Sequence, residues 1–596
     1  MPLVVQKFGG TSLADSGKIL AAARKAVRAF RDGNQVVMVV SAMGKNTDLL
    51  ERLAYEVNET PPAREMDMLL STGEQVSVAL MAMAIESLGY HATSLTGGQL
   101  GIKTDSSHTK ARIKSISTDR IESLLKDGNI VIVAGFQGID EQLNITTLGR
   151  GGSDTTAVAL AAVLQADTCE IYTDVDGVYT TDPRILPEAS LSRQVSYDEM
   201  LELASLGAGV MHSRSIEFGK KFNVPIQVRS SLSDATGSLI VDQSAARKLP
   251  VSGAALTRDE ARISIVGIPD VPGTIHRILS PLAEQKTTID MIVQNVAVDG
   301  NADIAFTIPQ NELQTSITAI EPVVTLMGGR LNEPDEQVSK VSIVGMGMAH
   351  QVGVAARMFR ALADAQINIQ MITTSEIKIS VLVSRSQALA ALRTVHNEFE
   401  LDQGITATTE FELEPTSTRS SFDALEVINR LQKVGMESLM LDDIQLDDAQ
   451  SRITLTRVPN EPGIAATLFE RVAQQNIFVD MIVQSFAFDQ FADISFSVLR
   501  NQCEQATQVA EQIKQEFSCD SVHSQQEIAK LVVAGIGLRS HTAVALGTFR
   551  ALSESGINVE MINTSEVRVN VVVAGDQGKA GLNHLNTFFG LASNGN

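Results

Sequence analysis

Two glycine-rich turns hold the residue types best suited to chemistry. In Gly149-Arg150-Gly151-Gly152-Ser153-Asp154 a cation and a carboxylate share one turn. An apolar run at 130–134 precedes this turn and a small-residue apolar run at 157–164 follows it, the pattern of strand, turn and helix. Backbone N–H groups at a glycine-rich helix start point outward and attract anions. In Lys7-Phe8-Gly9-Gly10-Thr11-Ser12 a lysine ends a short apolar strand, again ahead of a helical stretch. One such turn is a weak signal, because most glycine turns bind nothing. Two of them, each with one charge able to be buried, suit the two sides of one phosphate.

The elements that must position these turns alternate over residues 1–245. Runs 36–40 and 130–134 are nearly all apolar, as in strands covered on both faces of a largely parallel sheet. Helical periodicity is expected over 16–30, 75–88, 118–126 and 155–164. This is the pattern of an α/β sandwich. There is no Gly-x-x-x-x-Gly-Lys-Ser/Thr loop, which excludes a P-loop site.

Composition narrows the function. The chain has 596 residues, room for roughly four domains. Its net charge of −22 would repel a nucleic-acid backbone, so no nucleic-acid partner is expected. Cys169, Cys503 and Cys519 fit no zinc or redox spacing and are read as buried free thiols in a reducing compartment. No signal or transit segment and no apolar run long enough for a bilayer is read, so a cytoplasmic protein without a membrane partner is expected.

Residues 251–596 contain an internal repeat. The segment starting Ile263-Ser264-Ile265 returns at Ile453-Thr454-Leu455, Val341-Ser342-Ile343 returns at Leu531-Val532-Val533, and Thr374-Ser375-Glu376 returns at Thr564-Ser565-Glu566. The offset is constant, so one pair of units has been duplicated. The two units of a pair are also alike, each reading strand, turn, helix, strand. Segments 251–257 and 441–447 precede the pairs and are expected to supply an extra strand to each. The expected boundaries are 1–245, then units at 251–336 and 337–410, a linker at 411–434, and units at 435–526 and 527–596.

Five motifs in order resemble aspartate kinase: Lys7 to Ser12, Ser41-Ala42-Met43-Gly44, Ser71-Thr72-Gly73-Glu74, Leu148 to Asp154, and Thr173-Asp174 with Thr181-Asp182-Pro183-Arg184. The repeats resemble ACT domains, βαββαβ modules that sense amino acids, with two pairs as in cyanobacterial enzymes. The resemblance implies an amino-acid kinase fold and ATP-dependent phosphorylation of the L-aspartate β-carboxylate, the first step toward lysine, threonine and methionine. It implies catalytic roles for Lys7 and Asp154, and contact with ATP by Lys7, Phe8, Gly9, Gly10, Thr173, Asp174, Tyr179, Asp182 and Arg184. Ser41, Thr47, Glu74, Arg150, Gly151, Gly152 and Ser153 would hold aspartate, with Glu74 on its ammonium and the Arg150 fork on a carboxylate. Asp154 is not needed as a base, since the nucleophile is already a carboxylate with a pKa of about 4. Magnesium is expected to arrive with ATP, with no protein ligand named.

The same resemblance implies feedback by lysine and threonine, with ACT pairs joining across a homodimer. The first units would offer the turns Asp270, Gly273, Thr274, Ile275 and Asn460, Gly463, Ile464, Ala465, followed by Thr288, Ile289, Asp290, Gln294 and Phe478, Val479, Asp480, Gln484. The second unit of each pair would supply Val354, Ala355, Asn368, Ile369, Ser375, Glu376, then Val544, Ala545, Asn558, Val559, Ser565, Glu566. Gly345-Met346-Gly347 and Gly535-Ile536-Gly537 start like a dinucleotide fingerprint but lack its third glycine and fall inside the repeat, so an appended dehydrogenase is rejected. Another amino-acid carboxylate kinase and a non-catalytic sensor remain the alternatives.

Overall fold

The computed structural model describes residues 1–207, 210–242, 250–296, 300–403, 435–437, 440–485, 491–536, 538 and 542–591. The expected linker at 411–434 lies outside these residues.

The N-terminal part is built on an eight-stranded sheet. Its order is Gln194–Ser196, Ser238–Val241, Ile226–Ser230, Thr168–Thr173, Leu3–Phe8, Gln35–Val40, Ile130–Ala134, Ala92–Leu95. Every neighbouring pair is parallel except Ile226–Ser230 with Ser238–Val241. The helices Ser16–Arg31 and Ala63–Ser87 cover one face, and Gly152–Val163 the other. Their burial explains the unbroken apolar runs.

The Ala63–Ser87 helix starts twelve residues before the expected 75–88 stretch. Gly73 has a low helix propensity, yet a Cβ on it would stand 2.8 Å from the Ala42 Cβ. The missing side chain lets the helix approach the Ala42 backbone, and packing outweighs the propensity cost of glycine. This helix is also long and apolar enough to cross a bilayer by length and composition, which corrects the expectation that no run is. It buries Asp67 and Glu74 and packs in the core of the kinase-like sheet, as the core helix of a folded domain does.

The C-terminal part carries four repeat units in one antiparallel sheet. The first unit is a complete βαββαβ: Gly253–Pro269, Thr274–Glu284, Asp290–Val296, Asn301–Pro309, Leu313–Leu326, Arg330–Leu331. In the second unit the position of the last strand is filled from outside. Gly253 to Thr257, the start of the long Gly253–Pro269 strand, pairs with Val344 to Lys340. The extra strand expected for the first unit thus completes the second. Met440 to Asp447 does the same for the fourth unit, pairing with Ile536 to Lys530. Each pair is therefore interlocked by one continuous strand.

The pairs meet inside one chain. Met371–Ser375 of the second unit pairs with Val479–Gln484 of the third, and Asp290–Val296 of the first lies beside Met561–Thr564 of the fourth. An apolar centre draws Met291, Met371, Met481 and Met561 from all four units. The contact expected across a homodimer is made here within a single chain: one seam is a strand pair, which satisfies two edges that would otherwise be unpaired, and the other is a side-by-side contact of the two end strands of the sheet.

Candidate active site and regulatory seams

The predicted catalytic residues gather at the carboxyl ends of the parallel strands, where open α/β sheets place their sites. Lys7 and Phe8 end Leu3–Phe8, Ser41 follows Gln35–Val40, and Thr173 ends Thr168–Thr173. The Lys7 Nζ lies 2.5 Å from Asp154 Oδ1, and both side chains are almost buried. Asp154 sits in the first turn of the Gly152–Val163 helix, where a carboxylate is favoured by the helix dipole. The two glycine turns are thereby joined by one ion pair.

Glycine is required where these segments touch. A Cβ on Gly10 would meet the Ala42 carbonyl at 2.8 Å, so the first turn rests on the Ser41 segment. Gly151 has φ +69°, and a Cβ there would collide with His212 at 2.3 Å. Ser153 packs against Gly135 at the end of Ile130–Ala134. Thr47 lies on the Asn46–Val57 helix, half-buried.

Glu74 is the most unusual group of the site. Only 3% exposed, it accepts a 3.0 Å bond from the Ala42 N–H through Oε1. Its other oxygen, Oε2, is buried without a protein partner. Burial pushes its pKa up to about 7. A buried carboxylate with one unused oxygen is a receptor for a cation. Arg150, in contrast, projects from its turn and is exposed.

The residues expected to contact ATP are partly assembled. Arg184 Nη2 bonds Asp182 Oδ2 at 2.8 Å, which holds the Asp182 carboxyl below its usual range. Thr173 Oγ1 donates to Asp174 Oδ1 at 3.2 Å, and Asp174 is exposed. Tyr179 lies on the short Val178–Tyr179 strand. Phe8 is fully buried and stacked 4.6 Å from Tyr172, so it can offer only its backbone to a ligand.

In the C-terminal repeats the residues expected to bind effectors form four clusters, but across the pairs and not within them. The Asp270 turn faces Asn558 and Val559 of the other pair, and the Asn460 turn faces Asn368 and Ile369. In the first–fourth seam, Asp270 Oδ1 accepts from Gln294 Nε2 at 3.1 Å and from Asn558 Nδ2 at 2.9 Å. In the second–third seam, Asn368 Nδ2 donates to Asn460 Oδ1 at 3.1 Å and Gln484 Nε2 to the Ile369 carbonyl at 3.2 Å. Gly273, Thr274 and Ile275 line a space of about 10 Å³ in the first case, and Gly463, Ile464 and Ala465 one of about 20 Å³ in the second. Each is room for about one water. Gln294 Oε1 and Gln484 Oε1 are both buried without a hydrogen-bond partner.

The other two clusters are wider. Val354, Ala355, Ser375, Glu376, Phe478 and Val479 line a cavity of about 270 Å³. Its counterpart, lined by Thr288, Ile289, Ala545 and Ser565, measures about 60 Å³; Val544 is buried beside it. Asp290 and Asp480, at these cavities, are ion-paired to Lys340 and Lys530.

Sequence reasoning missed the contacts between the two parts. Glu202, fully buried on the Tyr197–Ser205 helix, pairs with Lys378 of the second unit at 2.9 Å and accepts from the Glu566 N–H of the fourth at 3.0 Å. Thr180 Oγ1 meets His396 Nε2 at 3.0 Å. The only signal was the run of acidic residues on an otherwise apolar helix, which reads equally well as a solvated face.

Comparison with known proteins matches the amino acid kinase family over residues 2–230 and the ACT domain over 341–399 and 531–589. The aspartokinase of Pseudomonas aeruginosa is 50% identical over 406 residues, 67% of this chain and 98% of that relative. Aspartokinase 2 of Bacillus subtilis is 47% identical over 404 residues, 68% of this chain and 99% of the relative. The crystal structure of aspartate kinase from Synechocystis is 38% identical, aligns with a TM-score of 0.51, and covers 100% of this chain and 99% of its own.

Proposed function

We infer the function from one premise: this chain belongs to the aspartate kinase family, and it is an aspartate kinase with C-terminal ACT domains. We propose the following roles for its residues. Glu74 receives the ammonium of L-aspartate on its unused oxygen. Arg150 clamps a substrate carboxylate, and Ser41, Thr47 and Ser153 with the Gly151-Gly152 backbone complete the pocket. A β-carboxylate oxygen attacks the γ-phosphorus of ATP; the bond from that phosphorus to the bridging oxygen breaks, giving 4-phospho-L-aspartate and ADP. No base is required. Lys7 neutralises the moving phosphoryl, and Asp154 fixes the direction of the Lys7 ammonium. Gly9, Gly10, Thr173, Asp174, Tyr179, Asp182 and Arg184 hold the nucleotide. Magnesium belongs to the nucleotide in this reading, held by its phosphates and water.

The observation that carries this reading is the joining of the two glycine turns by Lys7 and Asp154, beside a buried carboxylate with an unsatisfied oxygen. Lys7→Ala is expected to lower kcat roughly 10²-fold or more, the scale of one preorganised donor, with a smaller change in aspartate binding. Near-normal turnover in the folded variant would remove Lys7 from the mechanism. ATP turnover with aspartate against glutamate tests the substrate. A preference for glutamate would replace this reading with another carboxylate kinase, and no turnover with either would favour the sensor.

We further propose that the seams bind lysine and threonine as feedback effectors of a pathway supplying lysine, threonine and methionine, in the cytoplasm. The buried Gln294 and Gln484 acceptors support this, since an α-amino group supplies the missing donor. A homodimer joined through the ACT domains would use a surface other than the Met371–Ser375 and Val479–Gln484 edges, which are already paired in one chain.

A further inference from the structure

Two residues from the start of the third unit, Met436 and Glu437, are docked in the kinase domain. Met436 is fully buried in the kinase core. Its N–H donates to the Lys114 carbonyl at 3.0 Å, and its carbonyl accepts from Lys221 Nζ at 2.8 Å. Next to it, Glu437 takes Arg214 in a fork: Nε to Oε2 and Nη2 to Oε1, both 2.6 Å. Oε1 also accepts from the Ile113 N–H at 2.6 Å.

Arg214 uses its remaining donors on two carbonyls of the kinase domain. Nη2 reaches Ala111 O at 2.6 Å and Nη1 reaches Leu148 O at 2.5 Å. Leu148 is the last residue before the Gly149–Gly152 turn. That turn holds two left-handed glycines, Gly149 and Gly151. A cavity of about 610 Å³, bordered by Lys110, Arg150, His212 and Met436, lies against it. Gly149 and Gly151 press on Thr109 and His212, and the Leu148 N–H is held by the Phe136 carbonyl at 2.8 Å; the Arg214 guanidinium adds the donor that holds the Leu148 carbonyl at the entry of the turn.

We propose that Arg214 and Glu437 form a positioning clamp for Arg150, in which the regulatory half of the chain supplies the carboxylate that the kinase half needs. This rests on the reading of Arg150 as the clamp on aspartate. The reasoning is electrostatic and geometric. A nearly buried guanidinium requires a carboxylate partner, and one fork can hold Glu437 and two carbonyls at once. With Glu437 withdrawn, the cation rearranges toward water and Leu148 O loses its donor. Glu437 stands three residues before the Met440–Pro459 strand, which pairs with the fourth unit.

The test is steady-state kinetics on the full chain, varying aspartate and ATP separately. Glu437→Gln is expected to raise the KM for aspartate about tenfold, with kcat and the KM for ATP changed less than about threefold, the signature of lost substrate positioning. Arg214→Lys, which cannot fork, is expected to do the same. The double variant is expected to be no worse than either alone, because both remove one interaction. Glu437→Asp keeps the charge with a shorter reach, should fall between wild type and Glu437→Gln, and serves if Glu437→Gln does not fold. An unchanged aspartate KM in these variants, or equal rises for aspartate and ATP, overturns the clamp. Arg150→Lys separates the two readings. If it raises the aspartate KM while the clamp variants do not, only the clamp is wrong; if it has no effect, the role of Arg150 itself falls.

Discussion

The two seams between the repeat pairs are built on one plan and differ in charge and in space. Each is flanked by an ion pair inside one repeat pair, a lysine of the second unit buried against an aspartate of the first: Lys340 with Asp290, which borders the first–fourth cavity, and Lys530 with Asp480, which borders the second–third cavity. Around that shared scaffold the details diverge. Lys340 also holds Glu260 at 2.9 Å, and the residue in the place of Glu260 in the second pair is Gln450. The first–fourth seam carries Asp270 in its turn; the second–third seam carries Asn460. Gly273 presses on Ser553, while Gly463 faces only Ala363. The second–third seam is also bridged by Arg360 and Glu470, at 2.6 Å, and the residue in the place of Glu470 in the first pair is Ser280. Duplication has kept the buried ion pair and changed what lines the pockets, so the seams share stability and differ in what they can recognise.

Removal of the buried lysines should give the largest effects and should not be equal. Lys340→Met removes the cation shared by two nearly buried carboxylates, Glu260 and Asp290, and a loss of about 3–5 kcal/mol is expected. Lys530→Met strands one carboxylate, so a loss of about half that is expected. Urea denaturation of both variants checks this. Equal losses would mean that Glu260 does not distinguish the pairs.

pH should separate the kinase site from both seams. Glu74 has its pKa raised to about 7 by burial, so it is mostly protonated below that value and charged above it. Its attraction for an ammonium is present above pH 7 and lost as pH falls. The KM for aspartate should rise about tenfold from pH 8 to pH 6, and Glu74→Gln should flatten that profile. A profile unchanged in Glu74→Gln would show that another group titrates.

A smaller effect is expected from exchanging the turn residues. Asp270→Asn makes the first–fourth turn resemble the other, and effector affinity there should change by a few-fold to about tenfold, the scale of one net hydrogen bond. Asn460→Asp should act in the opposite sense. Titration of each variant with lysine and with threonine measures this, and identical preferences before and after would mean that the turn charge does not select.

Much of this organisation is legible in the chain. The constant repeat offset locates the four units, and apolar runs locate the central strands of the kinase sheet. What escaped reading is non-local. Pairing of Met371–Ser375 with Val479–Gln484 depends on two edges that meet only in three dimensions. The Asp270 turn therefore finds Asn558, 288 residues away, and not its own pair's Asn368. Arg214 follows His212 and Ser213 at a helix start and reads as an exposed cation; its partner lies 223 residues further on. The early start of the Ala63–Ser87 helix depends on Gly73 meeting Ala42, a contact that local propensity does not encode.

The account stands most directly on the two seams being separate effector sites, each made from both pairs. Calorimetric titration of lysine and threonine into the wild type, Gln294→Ala and Gln484→Ala tests it. The account predicts that Gln294→Ala weakens binding in the first–fourth seam and leaves the other intact, that Gln484→Ala does the reverse, and that inhibition of aspartate phosphorylation changes in step. Absence of binding to the wild type, or unaltered binding and inhibition in both variants, would contradict it.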